Sequence, residues 1–160
     1  MFSLHTRALA LSALLGIGIP SSIMNADASE TDHGEHKHHA SVFLGGTTVF
    51  ESDHSGFTIG IDYEYLLTED FGVGIIAEHA IGEVDATSIF AALDWHMTEQ
   101  IVLQLGTGVE IEDDEEFGVA RLGAYYEFHI EETTLAPTIS YNFSDHNDSL
   151  VFGVLIGRKF

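Results

Sequence analysis

The chain has 160 residues and a formal net charge of −21 at pH 7. This excess of negative charge argues against electrostatic binding to nucleic acid or to an anionic membrane surface. The chain contains no cysteine, so disulfide bonds cannot close its fold. Hydrophobic residues make up 45% of the chain, glycine is frequent, and there are only 2 prolines. This composition is typical of a sheet protein rather than a disordered chain.

Residues 1–28 have the features of a secretory signal peptide. A weakly basic start is followed by an apolar run over residues 8–19, and Ala26-Asp27-Ala28 supplies a small-residue cleavage pattern. The run is too short to cross a bilayer as a helix. We therefore predict export with cleavage near Ala28. The alternative interpretation is an N-terminal helix of the domain.

Residues 29–39 are polar and show no periodicity, which predicts a flexible periplasmic leader. This leader contains four histidines, His33, His36, His38 and His39. Imidazole is a good ligand for zinc, copper or nickel, so metal binding is one interpretation. A solubilising linker is the other, because a structural zinc site needs four fixed ligands.

Residues 40–160 show eight patterns typical of β-strands and are predicted to form one domain. In Phe57–Tyr65, large apolar or aromatic residues alternate with small, polar or acidic ones. Successive side chains of a strand point to opposite faces. Each segment is long enough for the ~9–11 residues that a tilted strand needs to cross a bilayer. The predicted strands cover residues 40–50, 56–67, 71–80, 86–97, 100–111, 116–130, 133–143 and 149–160.

Alternation alone fits both a soluble barrel with an apolar interior and a membrane barrel with an apolar exterior. Two features favour the membrane barrel. The opposing faces are rich in Gly, Ser and Thr mixed with carboxylates, which suits a narrow lumen. If each strand reverses direction, aromatic residues also fall near two rims, as the girdles of a membrane barrel require. One rim has Tyr63, Tyr65, Phe71, Trp95, Tyr126, Phe128 and Phe160, and the other has Phe50, Phe57, Tyr141, Phe143 and Phe152.

With a signal peptide, eight alternating strands and a terminal Phe160, residues 40–160 resemble the small bacterial outer-membrane β-barrels of the OmpA/OmpX-like type. The resemblance implies an all-β, eight-stranded antiparallel up-and-down transmembrane barrel in a Gram-negative outer membrane. It also implies insertion by the barrel-assembly machinery, which in that family reads the last strand and its C-terminal aromatic residue. The expected partners are outer-membrane lipid and lipopolysaccharide, and we expect a monomer.

The lumen-facing positions predict a charge network. Its members are Asp62, Glu64, Glu78, Asp94, Glu110, Arg121, Glu127 and Lys159. Glu110 and Arg121 lie on adjacent strands, which predicts an ion pair between them. The surplus carboxylates must be hydrated, protonated or neutralised by cations. This leaves two interpretations: a structural salt-bridge network, or a cation site in the periplasmic half formed by Asp62, Glu64, Asp94, His96, Glu127 and His129.

The predicted function is a non-enzymatic envelope-structural or surface-interaction role without a cofactor, and binding of divalent cations is left open as an alternative. An interior just wide enough for side chains argues against a general diffusion pore. The acidic run Glu112–Glu116 lacks the spaced glycine of an EF-hand loop and predicts a solvated hairpin tip. One alternative is a divalent-metal-binding or transport-accessory barrel that uses the leader and the acidic lumen. A lipid A-modifying enzyme is less favoured, because His39-Ala40-Ser41 has no evident acidic partner, and no catalytic residue is predicted.

Overall fold

The computed structural model of the chain describes residues 37–160. The predicted signal peptide and residues 29–36 of the predicted leader lie outside the described residues and stay predictions. Residues 37–160 contain no helix that is long and apolar enough to cross a membrane. The strands are β1 (His38–Val49), β2 (Ser55–Leu66), β3 (Phe71–Gly82), β4 (Ala86–His96), β5 (Ile101–Glu112), β6 (Glu115–Tyr126), β7 (Phe128–Ile130), β8 (Thr133–Ser144) and β9 (Ser149–Lys159).

The strands form one antiparallel sheet that closes on itself. Each of β1 to β5 pairs with the next strand in the chain, and β9 returns to pair with β1. The short β7 continues β6 in the same register against β8. Together β6 and β7 therefore make the sixth strand of an eight-stranded barrel. The predicted fold class, strand count and closure of the last strand onto the first are confirmed.

The sixth strand is interrupted at Glu127, and the interruption lies opposite a proline. The ladder pairs Tyr125 with Thr138 and resumes with Phe128 and Leu135, so Pro137 would face Tyr126. Proline has no N–H to donate to a ladder. The missing N–H of Pro137 thus weakens the pairing at this point, and the β6–β8 ladder breaks beside it.

The outer surface of the barrel is apolar. In β2, Phe57, Ile59 and Ile61 are exposed, whereas the intervening Thr58 and Gly60 are buried. The other long strands repeat this alternation over most of their length. A continuous apolar surface of this kind is unstable in water and is what a lipid environment requires.

The two ends of the barrel are chemically different. The terminal end contains the start of β1, the end of β9 and the turns 67–70, 97–100 and 131–132. The loop end contains the loops 50–54, 83–85, 113–114 and 145–148. Aromatic rings lie on the outer surface towards both ends, with Phe71 stacked on Trp95 and Phe50 stacked on Tyr141.

The interior is more apolar than the sequence predicts. Phe43, Ile76 and Phe90 are almost completely buried among the polar lumen groups. Glycines make room for this bulk, because a Cβ at Gly45 or Gly153 would meet the ring of Phe43. The glycines of the inner face therefore serve as space for large neighbours rather than as a uniformly polar lining.

Candidate functional site

Strand alternation carries the charged residues of the predicted network into the lumen, where they form two groups. The group nearer the terminal end, here called the terminal cluster, comprises His39, Asp62, Glu64, Asp94, His96, Gln104, Glu127, His129 and Lys159. The group nearer the loop end, here called the arginine network, comprises Glu78, Ser88, Glu110, Arg121 and Asn142. Glu64, Asp94 and Glu127 are only 1–2% exposed.

Arg121 is the centre of the arginine network. Its Nη1 and Nη2 donate to Oε1 and Oε2 of Glu78 at 2.8 and 2.5 Å, and its Nε donates to Asn142 Oδ1 at 2.8 Å. The guanidinium lies 4.0 Å from the centroid of the Phe90 ring. Both charged groups are buried. This bidentate geometry is the strongest form of an arginine–carboxylate contact.

The predicted pair between Glu110 and Arg121 is wrong. The strand register places Arg121 opposite Gly106, whereas Glu110 is opposite Phe117. Four residues of strand separate these positions, roughly 14 Å along the chain at 3.4 Å per residue. Glu110 instead accepts a hydrogen bond from Ser88 Oγ at 3.0 Å. Alternation predicts which face of the sheet a side chain is on, but the pairing register decides its position along the barrel axis.

Two carboxylates of the terminal cluster are each held through one oxygen. Glu64 Oε1 lies 2.7 Å from His96 Nε2. Glu127 Oε2 accepts a hydrogen bond from Lys159 Nζ at 3.0 Å and lies 3.1 Å from His129 Nε2. The structure therefore brings together four residues of the predicted cation site as two pairs, Glu64 with His96 and Glu127 with His129.

His39 stands between these two carboxylates without hydrogen-bonding to either. Its Nδ1 is 3.7 Å from Glu64 Oε2 and 3.8 Å from Glu127 Oε1, distances too long for hydrogen bonds. These two oxygens and Asp94 Oδ2 are buried and have no hydrogen-bond partner within residues 37–160. A buried carboxylate oxygen left in this state costs free energy. The terminal cluster therefore contains more buried hydrogen-bond acceptors than the described residues supply donors for.

Three residues that the sequence analysis does not single out shape the terminal cluster. Gln104 Nε2 donates to Asp94 Oδ1 at 2.9 Å and approaches Asp62 Oδ2 at 3.5 Å. A Cβ at Gly72 would collide with the Glu64 carboxylate, and one at Gly157 would collide with Ser41 Oγ and His39 Nε2. All three lie on the lumen face, so alternation assigns their orientation, but it does not indicate which side chain each one contacts.

Cavities differ between the two ends of the lumen. A vestibule of about 510 Å³ opens at the terminal end and is lined in part by His96, His129 and Lys159. Deeper in the lumen, three cavities of about 10 Å³ each follow one another towards the loop end. Such a volume is near the minimum for one water molecule. At the loop end, a buried apolar cluster contains Val49, Ala80, Val84 and Ala86.

The histidines of the predicted leader do not form one site within the described residues. His33 and His36 lie outside those residues, whereas His38 and His39 belong to β1, which starts two residues earlier than predicted. His38 lies on the outer face, where Nδ1 is 2.7 Å from Tyr63 Oη and the ring stacks on Phe160. His39 faces the lumen. Residues 37–160 contain no group of three or more His, Asp or Glu side chains arranged to hold a metal ion.

The His39-Ala40-Ser41 segment does have an acidic neighbour. His39 Nε2 is 3.4 Å from Ser41 Oγ, and Glu64 lies 3.7 Å from the other ring nitrogen. The sequence alone does not reveal this partner, because Glu64 comes from the next strand. All three side chains are buried, and the cavity they line has a volume of about 10 Å³. An acyl chain cannot enter a cavity of that size.

The loop end carries negative charge. Its loops and adjoining strand ends include Glu51, Asp53, Glu83, Asp85, Asp145, Asp148 and the predicted hairpin tip Glu112–Glu116. Among the described residues, no Lys or Arg lies in these loops, whereas Lys37, Arg158 and Lys159 all lie at the terminal end. The charge of the barrel is therefore distributed asymmetrically along its axis.

Comparison with solved structures identifies the architecture. No protein-family model and no curated protein sequence matches the chain. The N-terminal β-barrel domain of OprF from Pseudomonas aeruginosa superposes with a TM-score of 0.57 at 14% identity, over 76% of this chain and 97% of that chain.

Two further structures show the same likeness. A de novo designed transmembrane β-barrel matches with a TM-score of 0.54 at 11% identity, over 79% of this chain and 98% of that chain. Ail from Yersinia pestis, in complex with the heparin analogue sucrose octasulfate, matches with a TM-score of 0.51 at 15% identity, over 78% of this chain and 99% of that chain. The chain therefore has the fold of the small eight-stranded transmembrane β-barrels found in bacterial outer membranes.

Proposed function

We propose that this chain is a non-enzymatic β-barrel of a Gram-negative outer membrane with an envelope-structural or surface-interaction role. The observation that carries the proposal is a closed barrel with an apolar outer surface and a lumen packed with side chains. Closure satisfies the backbone hydrogen bonds that lipid cannot satisfy. The packed lumen argues for a role at the surface or in the envelope rather than in bulk transport.

The orientation that we propose places the terminal end in the periplasm. The chain enters and leaves the barrel at this end, and the backbone of His38 is paired with that of Phe160 at 3.1 and 2.8 Å. Insertion through the C-terminal strand would deliver Phe160 to this position as the last strand closes on the first. We expect a monomer, because closure leaves no strand edge for a second copy.

The electrostatics of the loop end restrict the partners of a surface role. Ail is seen with a sulfated, highly anionic ligand. The acidic loops of this chain would repel such a ligand. We therefore propose that the loop end contacts lipopolysaccharide through divalent cations shared with its phosphates, or a partner with a cationic surface.

The location is tested by the migration of the outer-membrane fraction on gels with and without heating. We expect the unheated protein to migrate as a compact species and the boiled protein to migrate more slowly. Deletion of Phe160 serves as the matched variant and is expected to lower the amount of the compact species. Recovery of the processed protein in a soluble fraction without detergent would contradict the proposal.

Lipid A modification is tested with Ser41→Ala and the unchanged chain in the same host. We expect both to leave the lipid A mass profile of the host unchanged, because Ser41 is buried beside a cavity of about 10 Å³. A new lipid A species that appears with the unchanged chain and disappears with Ser41→Ala would show that the barrel is an enzyme.

Metal binding by the leader is an alternative that the described residues do not address. Zinc titration of the processed protein with and without residues 29–36 separates it from the lumen, because β1 begins at His38. We expect no leader-dependent binding below millimolar zinc. Tighter binding that is lost with residues 29–36 would favour a metal-handling role.

A further inference from the structure

Arg158 is an exception on the outer surface of the barrel. It lies on the outward face of β9, and its side chain is 65% exposed. Arg121 and Lys159 face the lumen, and Lys37 precedes β1. Within residues 37–160, Arg158 is therefore the one Lys or Arg on the outer face of a strand. Such a cation is costly at the middle of a bilayer but is tolerated near its boundary.

The strand register places Arg158 where the apolar surface ends. Its neighbours across the sheet are Ala40 on β1 and Thr133 on β8. Ala40 is paired on its other side with Tyr63, and Phe160 follows two residues later on β9. The next row of outward side chains towards the loop end is apolar and consists of Ile61, Val42, Ile156 and Leu135. Because girdle aromatics lie at the level of lipid headgroups, the Arg158 guanidinium is placed at that level too.

Arg158 is paired with a carboxylate that lies further from the apolar surface. Its Nη2 donates to Oε2 of Glu132, which belongs to the turn 131–132 at the terminal end. The Glu132 side chain is 75% exposed, so both partners remain open to a ligand. A guanidinium has five N–H donors, and the bond to Glu132 leaves several of them for another acceptor. The pair therefore presents a cation beside the apolar surface and an anion beyond it.

A zwitterionic phospholipid headgroup has the complementary order of charges. Its phosphate is attached to the glycerol, and its amine lies beyond the phosphate. The phosphate would meet Arg158, because guanidinium groups bind phosphate oxygens through parallel N–H donors. The amine would meet Glu132. An ethanolamine ammonium group can donate hydrogen bonds to this carboxylate, whereas the nitrogen of choline carries no hydrogen.

We propose that the Arg158–Glu132 pair binds the headgroup of phosphatidylethanolamine in the periplasmic leaflet. Ala40 has only a methyl group and leaves a shallow notch between Arg158 and Tyr63. A lipid of net negative charge fits less well, because Glu131 adds a second carboxylate next to Glu132. This inference rests on the proposed function, since it requires a membrane barrel with its terminal end in the periplasm.

The test is native mass spectrometry of the detergent-solubilised barrel titrated with phosphatidylethanolamine, phosphatidylcholine and phosphatidylglycerol of the same short acyl chains. We expect phosphatidylethanolamine to bind about threefold or more tightly than either of the others, as one exposed ion pair allows. Arg158→Gln should weaken its binding by a similar factor. Glu132→Gln should abolish the preference over phosphatidylcholine and leave the binding of phosphatidylcholine unchanged. Glu99→Gln, in the turn 97–100 of the same end, is the matched control and should preserve the preference.

A second measurement locates the phosphate directly. Arg121 and Arg158 are the arginines of residues 29–160, and Arg121 is buried in the lumen. In bilayers of phosphatidylethanolamine, solid-state NMR of the ¹⁵N-arginine-labelled barrel should show dipolar contact between lipid ³¹P and one guanidinium. This contact should remain in Glu132→Gln and disappear in Arg158→Gln. The Arg121 signal is the internal control and should show no contact.

Three results would overturn the proposal. The first is equal affinity of the unchanged barrel for phosphatidylethanolamine and phosphatidylcholine. The second is tighter binding of phosphatidylglycerol that is lost in Arg158→Gln, which would indicate a site for anionic lipid. The third is a preference for phosphatidylethanolamine that persists in both Arg158→Gln and Glu132→Gln, which would place the headgroup elsewhere.

These failures are distinguishable from a failure of the proposed function. A barrel that inserts into bilayers without headgroup preference contradicts only the headgroup site. A chain that enters no bilayer contradicts the membrane barrel itself. Compact migration on unheated gels confirms that each variant is folded.

Discussion

The ion pairs of this barrel differ widely in their expected contribution to stability. Arg121 and Glu78 are both buried and form two hydrogen bonds with each other. Arg158 and Glu132 also form an ion pair, but their side chains are 65% and 75% exposed. Water screens the exposed pair, whereas the buried pair has replaced its hydration by mutual contact. The two pairs therefore form a natural internal comparison.

Arg121→Met is expected to lower the free energy of unfolding by about 3–5 kcal/mol, because it leaves the Glu78 carboxylate buried without its partner. Urea unfolding in detergent micelles, followed by the fluorescence of the single tryptophan, Trp95, measures the change. The double variant Arg121→Met with Glu78→Leu should recover most of the loss. Glu132→Gln should change the free energy by less than about 1 kcal/mol. Equal losses in the single and double variants would contradict this account.

At the level of single residues, the sequence predicts the facing of side chains better than their partners. The lumen orientation of Arg121 follows from the two-residue period, but its pairing with Glu78 instead of Glu110 depends on the register of several strands. His39 shares the parity of Ser41, and extending the period by one step into the predicted leader would have placed it in the lumen. The partners of a lumen side chain depend on its position along the barrel axis. No local sequence pattern encodes that position.

At the level of elements, Pro137 explains why the sixth strand is divided. The N–H of Glu127 points to β5, where it donates to Gln100 O at 2.7 Å. Because hydrogen-bonding directions alternate along a strand, Tyr126 must turn its backbone groups towards β8. Its partner there is Pro137, which has no N–H. The gap in the ladder is thus a local consequence of one residue type rather than a bend imposed by the barrel.

Replacing this proline is expected to change local exchange more than global stability. Pro137→Val restores a donor facing Tyr126, a gain of about 0.5–1.5 kcal/mol. It also raises the conformational entropy of the unfolded chain, which lowers the free energy of unfolding by about 0.4–1 kcal/mol. The two effects nearly cancel in the free energy of unfolding. Hydrogen exchange measured by NMR should nevertheless show a protected amide at residue 137 of the variant, because its N–H would donate to Tyr126 O.

The outer-face variant Ile139→Val is the control for the change of side chain, because it adds no backbone donor. It should leave the exchange of the neighbouring strand amides unchanged. A rapidly exchanging amide at residue 137 in Pro137→Val would show that the gap has another cause.

At the level of the whole molecule, the closed barrel could be predicted from the sequence because one signal is repeated eight times. A local deviation in one strand, such as the break at Glu127, does not alter the number of crossings. The interior could not be predicted to the same extent. Phe43, Ile76 and Phe90 occupy the face that the pattern assigns to polar residues, because a narrow lumen must be filled and neighbouring glycines leave room for large rings.

The filled interior predicts that the barrel does not conduct small solutes. The terminal vestibule of about 510 Å³ narrows to cavities of about 10 Å³, and the second of these is bounded by Phe43, Glu78 and Arg121. A monosaccharide is many times larger than a cavity that holds one water molecule. Liposomes containing the protein should therefore swell in arabinose at the rate of protein-free liposomes.

Phe43→Ala is the matched variant for this prediction, since it removes the largest apolar group of the passage and leaves the Arg121–Glu78 pair in place. It should still give no swelling, because the bidentate pair keeps the two sides of the lumen joined across the passage. A swelling rate that rises in proportion to the amount of the unchanged protein would contradict the prediction. That result would mean that the side chains filling the lumen move aside together, and the barrel would then have to be regarded as a pore.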